Sequence, residues 1–262
     1  MTMTPLDQAH AAMEAAPGDD ALRLRFYDRL AGSELVLLLE AEPEGERIRP
    51  AIFPVEDQRF VLVFDREERL TAFAEGAAPY AALSGRALAG MLAGQGIGLG
   101  VNLGVAPSSI LIEAASVDWL ADTLAAAPEE VEERPETLQP PAGLPEALLT
   151  ALDARLATAE GLARNAYLVA ATYAGGRRGH LMAFVDAVPG AEPALARAVG
   201  DALTFSGIEA GTLDVGFFRA SDAFAARLAR VGLRFDLPEA STAEQVVGAA
   251  PGMDPDRPPR LR

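Results

Sequence analysis

The sequence has no cysteine, no lysine, one tryptophan and two histidines among 262 residues. Without cysteine there are no disulfides, thiol nucleophiles or thiolate ligands for zinc or iron–sulfur clusters, and the fold needs no oxidising compartment. All 22 basic residues are arginine, so Schiff-base chemistry on lysine and the lysine of a phosphate-binding P-loop are excluded. No stretch approaches the roughly 20 apolar residues of a membrane span. The opening Met1-Thr2-Met3-Thr4-Pro5-Leu6-Asp7 lacks a basic and an apolar leader region. The expected location is the cytoplasm, with no membrane partner.

Half of the residues are hydrophobic and 23% are charged, which suits a folded chain, although abundant alanine predicts modest cores. The net charge is −16, from 38 acids and 22 arginines. Residues 1–128 hold 19 acids and 9 arginines, a net −10; residues 129–143 hold 5 and 1; the remainder holds 14 and 12. So negative a surface repels nucleic acid over long range and excludes it as an expected partner.

Periodicity divides the chain into two α+β domains, 1–127 and 144–237. They are joined by an acidic proline-rich linker at 128–143 and followed by an irregular tail at 238–262. Pro5–Ala15 has helical spacing, Pro17-Gly18 breaks it, and Asp19 caps a second helix with Leu22, Phe26 and Leu30 at i+4 steps. The continuous apolar run Leu35–Leu39 predicts a strand buried on both faces. Strands at Arg49–Val55 and Arg59–Asp65 flank a tight polar turn. Helices follow at Arg66–Ala74 and from Ser84 to Ala93, then strands at Ile97–Leu103 and Ser109–Ile112, and a helix capped by Ser116. The linker carries Pro128, Pro135, Pro140 and Pro141 with five glutamates, a composition that resists packing. Beyond it come a helix over Pro145–Leu162, a hairpin of Asn165–Ala174 and Gly179–Val188, a helix ended by Gly207, a strand over Thr212–Phe218 and a helix capped by Ser221. Each domain is expected to be a mainly antiparallel or mixed sheet packed with helices.

Several segments carry a resemblance to a known family. They are Phe26-Tyr27-Asp28-Arg29-Leu30, Ser33-Glu34-Leu35-Val36, Phe64-Asp65-Arg66-Glu67-Glu68-Arg69-Leu70 and Tyr80-Ala81-Ala82-Leu83-Ser84-Gly85-Arg86. The most specific is Gly98-Leu99-Gly100-Val101-Asn102-Leu103-Gly104, followed by Ser108-Ser109-Ile110-Leu111-Ile112 and Val117-Asp118-Trp119-Leu120. The first half resembles the N-terminal domain of the SseB family, named for enhanced serine sensitivity, with Leu103 in place of the family's usual proline. Residues 144–236 resemble its C-terminal domain, with Asn165-Ala166-Tyr167-Leu168 opening the hairpin. The resemblance implies interaction modules without an established catalytic mechanism.

Candidate sites are few. The glycines at 94–104 never form GxGxxG and a strand follows them, so a bend or close backbone approach at Gly98 and Gly100 is the favoured reading and a peptide groove near Asn102 the other. His10 pairs with Glu14 on a helix face read as solvated, and His180 stands alone, so neither predicts a metal site. No GxSxG elbow accompanies Ser108, Ser109, Ser206 or Ser221. Arg177 and Arg178 at a glycine-flanked hairpin tip read first as a soluble turn and otherwise as a site for a carboxylate or phosphate on a partner, and Trp119, just off an apolar helix stripe, reads first as core packing and otherwise as an interface anchor. No cofactor is expected. The leading expectation is a non-enzymatic adaptor or regulatory module that binds protein. The alternative is amino-acid-related sensing or catalysis at an interdomain cleft.

Overall fold

The computed structural model describes residues 3–43, 45, 47–125, 133, 135–206 and 213–238. The chain starts with α1 (Pro5–Ala15) and α2 (Asp20–Gly32). Thr4 and Asp7 form a reciprocal capping box on α1, and the Asp19 carboxylate accepts from the amides of Ala21 and Leu22 on α2. Then come β1 (Glu34–Leu38), β2 (Ile52–Val55), β3 (Gln58–Phe64), α3 (Glu67–Ala74), β4 (Tyr80–Ser84), α4 (Gly85–Leu92), β5 (Ile97–Val101), β6 (Ile110–Ile112) and α5 (Ala114–Ala125).

These strands form one sheet in the order β4-β1-β3-β5-β6, with β2 beside β3. All pairings are antiparallel except β3 with β5. The apolar run of β1 does serve two faces. Leu35 and Leu37 join a large core under α1, α2, α4 and α5, while Val36 and Leu38 join a smaller one under Leu70 and Phe73 of α3.

The second half holds β7 (Pro135–Gln139), α6 (Glu146–Leu156), β8 (Asn165–Tyr173), β9 (Arg178–Val185), α7 (Glu192–Phe205), β10 (Leu213–Phe218), α8 (Ala223–Val231) and β11 (Leu233–Phe235). Its sheet runs β10-β9-β8-β11 with β7 beside β8, and only β9 and β10 are parallel. Leu148, Leu152 and Leu156 of α6 and Leu195 and Val199 of α7 fill one face, and Ala225 and Leu228 of α8 cover the other. Both halves are thus α+β units with mixed sheets.

Several local expectations change. The acidic proline-rich segment supplies β7; Pro135 is tolerated because it lies at the first position of a strand at the sheet's margin. β4 alternates in burial, but its alanines gave no strand signal, and β11 has only three residues. Helix α5 starts at Ala114, which places Ser116 in its first turn, and α6 stops at Leu156 rather than Leu162. Pro145 is the N-cap of α6, and Asp222 rather than Ser221 is the N-cap of α8. Gly207 and the tail from 239 lie outside the described residues.

The two halves meet along their helical layers. Phe205, the last residue of α7, is buried in the core of the first half. Arg155 of α6 reaches across to the Asp28 carboxylate of α2 and lies 4.0 Å from Asp201 of α7. Arg86 of α4 crosses the other way to Asp201 and donates to the Leu124 carbonyl at 2.6 Å. Two cations and two anions from both halves therefore alternate across the seam.

Candidate functional site

In sheets with parallel strands, ligands commonly bind outside the carboxyl ends of those strands. This fold has two such ends, and its own side chains close both. Asn102 follows β5 in the left-handed region, φ 49°. Its amide donates to the Val63 carbonyl at 2.9 Å, and its side-chain oxygen accepts from the Asp65 amide at 3.1 Å. Asp186 repeats the device after β9, with φ 51°. Its amide donates to the Phe218 carbonyl at 2.9 Å and its carboxylate accepts from the Ala220 amide at 2.8 Å. Asn and Asp tolerate this backbone region, and each side chain caps the neighbouring strand as it ends.

Above the first closure lies a buried polar network. Arg69 of α3, 2% exposed, donates to both oxygens of Asp7 at 3.0 and 2.5 Å and to Asp65 at 2.7 Å. The Ser108 hydroxyl donates to Asp7 at 2.6 Å and accepts from the Asn102 side-chain amide at 2.8 Å. The Thr4 hydroxyl donates to Asp65 at 2.6 Å, and the Thr4 amide to Asp7 at 2.9 Å. Burial alone would raise the Asp7 pKa. The bonds from Arg69, Ser108 and the Thr4 amide outweigh it and hold this carboxyl well below its usual range. The cluster carries one cation against two carboxylates, and the N-terminal ends of α1 and α3 supply the remaining positive potential. It pins α1 to the sheet by charge-assisted bonds.

The residues singled out in the sequence scatter accordingly. Gly98 and Gly100 lie in a fully buried strand. A Cβ on Gly98 would come within 2.6 Å of the Phe60 ring, and one on Gly100 within 2.6 Å of Leu62, so both serve close packing and neither offers a peptide groove. Asn102 is likewise buried and belongs to the closure, not to a surface. Arg177 is engaged within the chain: it donates to Glu133 at 3.1 and 2.6 Å and to Asp214 at 3.1 Å, and lies 3.9 Å from the Tyr173 ring centre. Burial first and then Asp214 push the Tyr173 hydroxyl well above its ordinary pKa. Arg178 is exposed at the start of β9.

His10 is buried rather than solvated, since α1 turns it onto Phe26 with ring centres 5.6 Å apart. His180 lies with Nε2 3.2 Å from the Ala142 carbonyl. Among the described residues no group of three His, Asp or Glu side chains could hold a metal ion. An open groove of about 380 Å³ beside Pro140, Leu144, Leu149 and Leu233 is mostly apolar and lacks charged side chains to orient a ligand.

Of the sequence candidates, Trp119 reaches the surface, as Arg178 does. It stands on α5 with 41% exposure, yet its ring is held edge-on by Tyr27 of α2 at 5.3 Å and Phe205 of α7 at 6.5 Å. It therefore spans the seam as a rigid aromatic with one side bare. Asp122, one turn on at i+3, is exposed on the same helix face, and among the described residues no cation pairs with it. Asp118 is occupied, accepting from the Gly94 amide at 2.8 Å. The sequence suggested Trp119. It gave no sign of the Asp7–Arg69 network, whose only local marks were a capping box and an i,i+4 Asp–Arg pair.

No helix among the described residues is long and apolar enough to cross a membrane. No curated protein and no solved structure matches the chain. The family model described as SseB protein N-terminal domain matches residues 6–119, from the helix that carries Asp7 to Trp119 itself. Through this first α+β unit, the chain belongs to the SseB family.

Proposed function

We propose that the chain is a cytoplasmic, non-enzymatic adaptor or regulatory module that binds another protein, with the second unit acting as the family's C-terminal domain. The observation that carries this reading is Trp119, the one tryptophan of the sequence, held rigid by aromatics from both halves with a side open to solvent. Tryptophan in this setting is a frequent interface anchor, because a preorganised ring buries much area at small entropic cost. The filled closures at both parallel-strand ends, and a seam packed by Phe205 and Arg155, favour a surface role over a ligand cleft between the halves.

The test is affinity purification of the tagged full chain from native cytoplasm, quantified by mass spectrometry beside a mock control and a Trp119→Ala variant. A reproducible partner that is depleted with the variant is the expected result. No partner above the mock control across growth conditions would overturn the reading. Thermal-shift screening with amino acids, nucleotides and divalent metals supplies the counter-test, because a ligand that binds the folded state raises its stability by mass action.

A further inference from the structure

Resting on that protein-binding reading, we propose that the bare side of Trp119 with Asp122 receives a lysine or arginine side chain from a basic segment of the partner. The face of an indole carries negative electrostatic potential and attracts a cation placed over it. Asp122 stands one helical turn away with no cation paired to it among the described residues, so it can accept the hydrogen bonds of the same ammonium or guanidinium group.

Charge complementarity identifies the occupant. The first 128 residues carry a net −10, and the two arginines that cross the seam are already engaged: Arg86 with Asp201 and Arg155 with Asp28. An acidic or purely apolar segment would leave Asp122 facing like charge or desolvated without a partner. A basic segment is also steered toward this unit over long range.

Because Trp119 is the only indole, its emission reports the site directly. The full chain is titrated with a short lysine- and arginine-rich peptide at low salt. A saturable change in indole emission is expected, with affinity weakened about three- to fivefold by Asp122→Asn, as for one partly exposed ionic contact. Glu68→Gln, which removes an equal charge from α3 on the opposite face of the first sheet, should leave the affinity unchanged. A labelled-peptide anisotropy measurement extends the series to Trp119→Leu, for which a loss at least as large as that of Asp122→Asn is expected.

No saturable emission change, or equal weakening by Glu68→Gln and Asp122→Asn, would overturn the proposal, the latter by showing diffuse attraction to an acidic protein. A partner captured by the full chain and retained by Asp122→Asn would also overturn it while leaving the adaptor reading in place. Failure of capture alongside a specific peptide response would overturn the adaptor reading instead.

Discussion

Replacing Arg69 by methionine removes the cation on which the buried network closes and leaves the alkyl volume largely in place. Asp7 and Asp65 then face each other without a counter-charge, at side chains 0% and 5% exposed. Breaking a buried pair by deleting one partner costs about 3–5 kcal/mol. At about 2–4 °C per kcal/mol for a chain of this size, the melting temperature should fall by about 6–20 °C. The cost arises from uncompensated burial, so Asp7→Leu combined with Arg69→Met should be less destabilised than the sum of the single variants, by more than about 1 kcal/mol. Thr4 and Ser108 lose an acceptor in the double variant, so recovery is incomplete.

The same network sets a pH dependence. The folded-state pKa of Asp7 is depressed, so its contribution is fully present above the unfolded carboxyl value of about 4 and is lost as pH falls from there through the folded value. Urea unfolding of the wild type and the three variants from neutral to acid pH measures both effects. Additivity within about 0.5 kcal/mol, or a single-variant loss below about 1 kcal/mol, would refute the account of a coupled buried network.

Three further outcomes follow from packing. Gly98→Ala should cost about 1–3 kcal/mol in chemical unfolding because its Cβ meets the Phe60 ring and the Ile112 carbonyl, whereas Gly90→Ala, with open space around it, should be neutral or stabilising. Phe205→Ala should cost about 3–5 kcal/mol and raise hydrogen exchange in α2 and α5 of the other half, since the cavity opens in their core. Protease cleavage engineered between residues 126 and 132 should leave the two fragments co-eluting on gel filtration, and Arg155→Ala should promote their separation; fragments that part at once would refute a tight seam.

Legibility varied with how local the determining physics was. The ends of α1 and α2 could be read because Pro17-Gly18 and Asp19 act through neighbouring backbone. Double-sided burial of β1 showed in five consecutive apolar residues. β7 escaped because acidic and proline content reports the segment's preference in isolation, whereas the nine-residue strand β8 offers an edge that the segment can pair with. His10 and Glu14 suggested a wet face because a helix pattern does not say which neighbour arrives; Phe26 did. Trp119 stood out by residue type alone, while its clamp by Tyr27 and Phe205 joins positions far apart in the chain.

By itself the sequence determined the chemistry this protein lacks, its acidic character, most helices and strands, and the family of its first unit, because absence of a functional group, net charge and local periodicity need no knowledge of distant contacts. Tertiary structure alone decided that Arg177 is spent on Glu133 and Asp214, that Asp7 neutralises Arg69 across 62 positions, and that Phe205 completes a core outside its own unit. Those outcomes depend on burial and pairing between remote residues, whose energies exist only once the chain has closed on itself.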